Sequence, residues 1–507
     1  LKSTGKGAII LPHGVLFRGN KEADIRRELV RRGYIKGIIG LPPNLFYGTG
    51  IPACIIVIDK ENAHARKGIF MIDASKGFMK DGNKNRLREQ DIRKIVDVFT
   101  HQIELPRYSR MVPISEIADP KNDYNLNIPR YIDSSEPEDM HDLNAHLNGG
   151  IPNRDIDALG AYWKIFPTLR DELFQENGRP GYSDPRVEAQ QVKQTIVDHP
   201  EFSTYADSVK DIFVVWRDAH KPLLMSIGVG SNPKQIISTI SEDLLQRFED
   251  IPLLDKYDVY QRLMDYWNET MQDDLYLIVS EGWRDAAQPR AVIEDKERKI
   301  KESPDLTIGR KKYKMDLLPP VLIIARYFTA EESNLQELQV KADEATQALE
   351  AFIEERTGDE GVLEDATNDN GKVTKGAVKQ RLRELGSDPE LADERKVLEQ
   401  CLQLIELESA AKKAVKDTQA KLNKKVMAKY AELTEEEIKT LVVEDKWFAS
   451  IGAAVESEVQ RVTQRLAARI KELQERYAEP LPQIEQEVEE CAAKVEDHLK
   501  RMGVQWG

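Results

Sequence analysis

Three apolar runs and one charged helix crowd into the first sixty residues, and their order limits the possible folds more than any other feature of the chain. Residues 8–11, 35–41 and 53–58 are short, nearly continuous apolar stretches, the first two stopped by Pro12 and Pro42. That is the pattern of strands buried on both faces. Residues 21–32 read as a helix. Asn20 stands at its N-cap, Glu22 and Asp24 in the first turn, Arg31 and Arg32 in the last, and Gly33 follows as the stop, so each charge complements the helix dipole. Ile25 and Leu29 are its expected inward stripe. Residues 42–52, rich in Pro and Gly, are expected to be irregular, and Gly68–Asp73 is a further candidate strand. Strand, helix and strand at this spacing predict an open, largely parallel sheet covered by helices, with ligands at the carboxyl ends of the strands.

Charge divides the chain. Residues 1–130 hold about 23 Lys and Arg against about 14 Asp and Glu, roughly +9, which leaves roughly −24 for the remainder of a chain whose formal net charge is −15. A basic α/β surface suits a phosphate-rich polymer, because each neutralised phosphate releases condensed counterions; an Arg-rich solvated surface is the alternative. Cys54, Cys401 and Cys491 lie far apart with no metal-ligand or disulfide spacing, so no metal is expected and a reducing, cytoplasmic setting is. No apolar run approaches the roughly 20 residues of a spanning helix.

Several ordered blocks carry a resemblance. Gly7-Ala8-Ile9-Ile10-Leu11-Pro12-His13-Gly14-Val15-Leu16-Phe17, Ile25-Arg26-Arg27-Glu28-Leu29, Leu41-Pro42-Pro43-Asn44-Leu45-Phe46, Tyr47-Gly48-Thr49-Gly50-Ile51 and Tyr124-Asn125-Leu126-Asn127-Ile128-Pro129-Arg130-Tyr131 together resemble the M subunit of type I restriction-modification systems. Those proteins are adenine-N6 DNA methyltransferases that use S-adenosylmethionine. The resemblance covers about the first 135 residues, and several blocks in order are more specific than one motif. It implies the C-terminal half of a Rossmann-like methyltransferase sheet, followed by a long, mainly α region with coiled-coil-like helices. The family's Gly-rich cofactor loop and its Asn/Asp-Pro-Pro-Tyr/Phe motif do not occur. Pro42-Pro43 is preceded by Leu41 and followed by Asn44, the wrong order, and reads as a turn. The chain is therefore expected to be the C-terminal part of a longer enzyme, with the S-adenosylmethionine motif upstream of Leu1 and no cofactor-binding residue within it.

One element of the chemistry remains in view. An enzyme acting on a base amino group takes the base out of the stack and holds it by stacking and edge hydrogen bonds. By the resemblance, Phe46 occupies the position whose aromatic ring packs against the flipped base, with Tyr47 as the adjacent substitute; a phenylalanine folded back into the core is the competing expectation. Arg18 and Lys21 border the same face and are candidates for phosphate contact. His13, in the turn after the first strand, is expected to be structural, and Asp73 to be a turn residue. No catalytic acid, base or nucleophile is assigned, since methyl transfer by approach and orientation requires no covalent one.

The expected domains are 1–110 for the catalytic half-sheet, 111–150 for a connector, 151–330 for a helical domain and 331–507 for long assembly helices. Residues 133–139, with Ser134, Ser135 and Pro137, read as a linker. Trp163, Tyr260, Trp267 and Tyr276 are expected to pack in a core. Lys296, Arg298, Lys299 and Lys301, then Arg310, Lys311, Lys312 and Lys314, read as a charged connector or a DNA contact. Three near-heptad seams follow: Leu335, Leu338, Ala342, Ala345, Leu349 and Phe352; Leu398, Ile405, Ala411, Val415, Leu422 and Val426; Val455, Val459, Val462, Leu466, Ile470 and Leu473. Each needs a partner helix, internal or from another subunit, and residues 358–371 read as a loop between the first two. Thr434 and Glu437 make a capping box. By the resemblance the partners are double-stranded DNA, a DNA-specificity subunit, a restriction subunit and a second M subunit, with no membrane. The alternative function is a catalytically silent helical scaffold that keeps a methyltransferase remnant and organises a DNA-binding complex.

Overall fold

The computed structural model describes residues 1–135, 139–295, 300–357, 362–368, 371–386 and 391–502. Pro137, Lys296, Arg298, Lys299 and the Gly358 end of the 358–371 loop lie outside the described residues.

The N-terminal part is a five-stranded mixed sheet of β1 (Lys6–Pro12), β2 (Ile35–Gly40), β3 (Ala53–Asp59), β4 (Gly68–Asp73) and β7 (Ser109–Pro113), in the order β1-β3-β2-β4-β7. A small hairpin of β5 (Met79–Asp81) and β6 (Lys84–Arg86) stands beside it. Only β2–β4 pairs parallel; β1–β3, β2–β3 and β4–β7 are antiparallel. The expected largely parallel sheet is thereby corrected. Strand β3 inserts between β1 and β2 and reverses the direction: the irregular 41–52 loop returns the chain at the same end of the sheet, whereas a parallel neighbour takes a crossover connection, usually a helix.

Alternation explains the two faces. Ile38, Ile69 and Met71 point to one side, where Val30 of α1 (Asn20–Arg31) and Leu126 and Ile128 cover them. Ile39, Phe70 and Ile72 point to the other, under Ile95 and Val98 of α2 (Glu89–His101). Burial on both faces holds for β2 and β4 but not for β1, where Ile9 is 47% and Ile10 54% exposed. An edge strand has one neighbour, and the apolar run alone does not distinguish edge from centre. On α1 the cap is Gly19, with no side-chain cap from Asn20. Ile25 is exposed, and the inward positions are Arg26, Leu29 and Val30. Gly33 ends the helix with φ +65, and a Cβ there would fall 2.1 Å from the Ala63 carbonyl oxygen.

The chain divides into two compact units, residues 1–220 with 234–269 and 451–507, and residues 221–233 with 270–450. In the first unit, α3 (Leu143–Asn148), α4 (Pro200–Met225), α5 (Pro233–Arg247), α6 (Lys256–Tyr266), most of α10 (Ala449–Arg476) and α11 (Leu481–Arg501) accompany the sheet. Helix α2 is clamped to α5 and α6. Arg93 forms a fork with Glu242 and also bonds Asp97 at 2.9 Å, Lys94 reaches Asp255 at 3.0 Å, and Gln90 bonds Asp258 and Gln261. The third seam, Val455 to Leu473, is buried within this unit. Glu458 takes Arg262 at 2.5 Å, Phe213 lies against Gly452, and Arg469 and Arg476 both pair with Asp139. Tyr260 and Trp267 are buried as expected and Trp163 is half-buried, its indole bonded to the Ile156 carbonyl at 2.6 Å. Tyr276 is exposed and does not belong to a core.

In the second unit, α8 (Thr329–Arg356) lies antiparallel along α9 (Ala392–Glu432), as the Lys425–Glu331 pair and the Thr346–Glu408 hydrogen bond show. These two helices carry the first two seams, so their partner is internal. The capping box at Thr434 and Glu437 is present. Residues 310–314 are not a connector: β8 (Leu306–Ile308) and β9 (Lys311–Lys314) form a hairpin. A π-helical stretch, Leu441–Phe448, places Lys446 and Trp447 on one buried carboxylate. The Lys446 ammonium lies 2.8 and 2.7 Å from the two Asp274 oxygens and 2.7 Å from the Leu317 carbonyl, while the Trp447 indole donates to Asp274 at 2.8 Å. Burial pushes the Asp274 pKa up and Lys446 and Trp447 hold it down. Asp274→Ala, which leaves the ammonium buried and unpaired, is expected to cost about 3–5 kcal/mol. The joint Asp274→Leu, Lys446→Met change should cost less, measured as urea-unfolding midpoints of the 507-residue chain.

Candidate functional site

The carboxyl ends of β1, β2 and β4 and the amino ends of β3 and β7 share one side of the sheet. Backbone hydrogen bonds tie them together there. His13 N–H donates to Pro52 O (3.0 Å), Leu41 N–H to Ala53 O (2.9 Å), Ala74 N–H to Gly40 O (2.9 Å) and Asp73 N–H to Tyr108 O (2.7 Å). Residues 41–52 therefore form a loop with both feet fixed at the strand ends.

The loop is also braced from the side. Lys84 Nζ donates to the carbonyls of Phe46 (2.9 Å) and Thr49 (3.3 Å), and the buried Asn85 donates its amide to Pro43 O at 2.6 Å and its N–H to Asn44 O at 3.0 Å. Asn44, at φ +56, closes the loop on Gly50. Leu45 turns inward against the core on the α2 side. Its neighbours turn out: Phe46 is 36% and Tyr47 95% exposed. Both rings thus hang from a backbone held at the strand ends, and Phe46 belongs to neither core cluster of the sheet.

At the same strand ends lies a small group of polar side chains. Asp73 is buried, accepts the Ser134 hydroxyl at 2.6 Å and the Ser75 N–H at 3.0 Å, and so does more than turn the chain. His13 Nε2 is buried with no hydrogen-bond partner and would lie 3.9 Å from a Cβ at Gly40. Burial holds the imidazole below its ordinary pKa, and Asp73 pulls the other way. Arg18 is exposed, folds over Gly14, where a Cβ would meet its Nε at 2.7 Å, and approaches Glu22 at 3.8 Å. Lys21 is exposed near the start of α1. The turn after β1 is thus filled by the chain's own arginine and forms no open glycine cradle for a cofactor phosphate or carboxylate.

Residues 1–140 match the family model described as N-6 DNA Methylase. The chain is 41% identical over 146 residues to the type I restriction enzyme MjaVII methylase subunit of Methanocaldococcus jannaschii, covering 28% of this chain and 25% of the relative. The MpnII methylase subunit of Mycoplasma pneumoniae is 31% identical over 176 residues, 35% of this chain and 31% of the relative. This chain thus spans between a quarter and a third of the length of these curated relatives. A solved type I methyltransferase subunit from Streptococcus thermophilus is 42% identical over 25% of this chain and 26% of its own, with a TM-score of 0.24.

Two bracing elements of the sheet end escape sequence reading. The β5–β6 hairpin carries Lys84 and Asn85; its Gly82-Asn83 turn is a readable hairpin signal, but nothing in the sequence tells where the hairpin docks. Arg26 is the other. Its buried guanidinium donates to the carbonyls of Val15 (2.9 Å), Arg18 (3.0 Å) and Tyr124 (2.8 Å) and so fixes the turn after β1. The visible signal is an arginine four residues before Val30 on the buried stripe.

Asn85→Ala leaves the Pro43 carbonyl without its donor and should cost about 1–3 kcal/mol, with faster chymotryptic cleavage beside Phe46 and Tyr47 than in the parent chain. His13 has a folded pKa below its unfolded value. Its contribution is fully present above the unfolded pKa of about 6.5 and is lost as pH falls toward and through the folded value. His13→Gln should therefore shrink the drop in the urea midpoint between pH about 7.5 and pH about 5.5.

Proposed function

We propose that this chain is part of the DNA-modification subunit of a type I restriction-modification complex, which methylates adenine N6 in double-stranded DNA using S-adenosylmethionine. The observation that carries it is the braced 41–52 loop with its two outward aromatic rings, within a segment that matches N-6 DNA methylases. A flipped base needs a π-face whose position does not depend on the base itself, and stacking is strongest on a ring that pays no ordering entropy on contact. Lys84 and Asn85 hold the loop backbone that carries the rings through its carbonyls rather than through the rings themselves.

Within this reading Phe46 stacks on the extruded adenine and Tyr47 borders it. Arg18 and Lys21, on the flank of the same end of the sheet, contact phosphate. The sheet is the C-terminal half of a Rossmann-like catalytic domain. S-adenosylmethionine supplies the methyl group; its binding is assigned to no residue of this chain, and no step is routed through it here. The DNA-specificity and restriction subunits, a second modification subunit and a cytoplasmic setting complete the proposal. Among the described residues no helix is long and apolar enough to cross a membrane.

In the complete modification complex, Phe46→Ala is expected to lower methyl incorporation about tenfold or more, the scale of a lost base stack of about 1–3 kcal/mol, while duplex affinity changes less than threefold. Filter assays of methylation beside fluorescence anisotropy of the same duplex read both. Equal losses, or none, return Phe46 to a packing role.

A further inference from the structure

Helix α11 repeats the pattern of the helix before it but leaves it bare. Leu481, Ile484, Val488, Cys491, Val495, His498 and Met502 fall at alternating intervals of three and four residues, the a and d positions of a coiled-coil seam. In α10 the corresponding seam is buried; in α11 Leu481, Ile484, Val488, Val495 and Met502 are all exposed, as is Cys491. The helix spans 21 residues, about 31 Å, and a stripe of that length and width is unusual on a surface without a partner.

The charges beside the stripe say what covers it. Glu485, Glu487, Glu489 and Glu490 crowd the first half, while the second carries Lys494, Lys500 and Arg501 beside Glu496 and Asp497; along the edge of the stripe itself stand Glu487, then Lys494 and Arg501. We propose that α11 pairs antiparallel with α11 of a second copy of this chain, Glu487 at the edge of each stripe lying along Arg501 of the other. In that register Ile484 faces Met502 of the copy, Val488 faces His498 and Cys491 faces Val495, each pair formed twice by symmetry, with Leu481 outside the paired layers. Of the flanking positions, Glu487 meets Arg501 of the copy twice by symmetry, against one Lys494–Lys494 contact at the dyad. A parallel pair would instead set the four glutamates beside the same four. Arg501 now rests on Asp497 at 2.9 Å, an exposed pair of the weak surface kind that the contact replaces at small cost. Self-complementarity of this sort is what a two-fold interface requires. Helix α3 touches the start of α11 and has Leu143 and Leu147 exposed, so the interface has apolar surface to continue onto. The inference is independent of the methylation reading: it rests on the seam and its charges.

The full 507-residue chain is the material for the test. Sedimentation at rising concentration should show a reversible monomer–dimer equilibrium in the micromolar range. Val488→Asp with Val495→Asp, both at exposed positions, should give a monomer with unchanged circular dichroism and thermal midpoint. Arg501→Glu or Glu487→Arg alone should weaken the dimer about three- to tenfold, and the two together should restore it. With Cys491→Ser in the background, Ile484→Cys plus Met502→Cys should cross-link two chains under oxidation, while Ile484→Cys alone should not. A chain that stays monomeric, a dimer that survives the two aspartates, a double swap without rescue, or cross-linking through Ile484→Cys alone each overturns the proposal.

Discussion

Strand β3 is the element on which the candidate site depends. By running antiparallel between β1 and β2 it takes hydrogen bonds from both and brings the chain back to the end of the sheet it has just left. The 41–52 loop is the direct product of that reversal. Its feet are ladder ends, so the loop inherits the rigidity of the sheet rather than the freedom of a surface connection. Were β3 placed outside β1, Leu41 and Ala53 would not be neighbours, and the aromatic rings would hang from a loop anchored on one side only.

Rigidity at one end of the sheet is matched by pinning at its faces. Arg26 and the Arg93–Glu242 fork work differently: the first spends a buried charge on three carbonyls and holds a turn, the second joins α2 to the helices that follow. Buried or bidentate arginine suits both tasks because its five donors have fixed directions. In the second unit Lys446 does comparable work with one carboxylate, one carbonyl and a neighbouring indole. Each such group is costly to desolvate and is tolerated only where its hydrogen-bonding capacity is met.

Sequence carries local periodicity well and neighbours poorly. The strands at 35–40, 53–59 and 68–73 and the helix at 20–31 stand where the apolar runs and Gly33 put them. The direction of pairing did not, because a run of isoleucines is equally compatible with a parallel or an antiparallel neighbour. The same ignorance of neighbours misplaced Ile25, Tyr276 and the burial of β1. At the site, Phe46 and Tyr47 were visible as aromatic residues on a Gly-rich loop, whereas Asn85, Lys84 and Ser134 became relevant only through contacts spanning 38 to 61 residues. The seam of α11 was present in the sequence, yet only its exposure distinguishes it from the three seams that are packed.

The segment between Ser134 and Asp139 has a mechanical meaning beyond its composition. One end is bonded to Asp73 at the strand ends, and the other is paired with Arg469 and Arg476 on α10. Five peptide steps separate the two anchors, so they can never stand more than about 18 Å apart. Any displacement of the last turns of α10 beyond that reach is therefore delivered through the chain to the carboxylate beside His13.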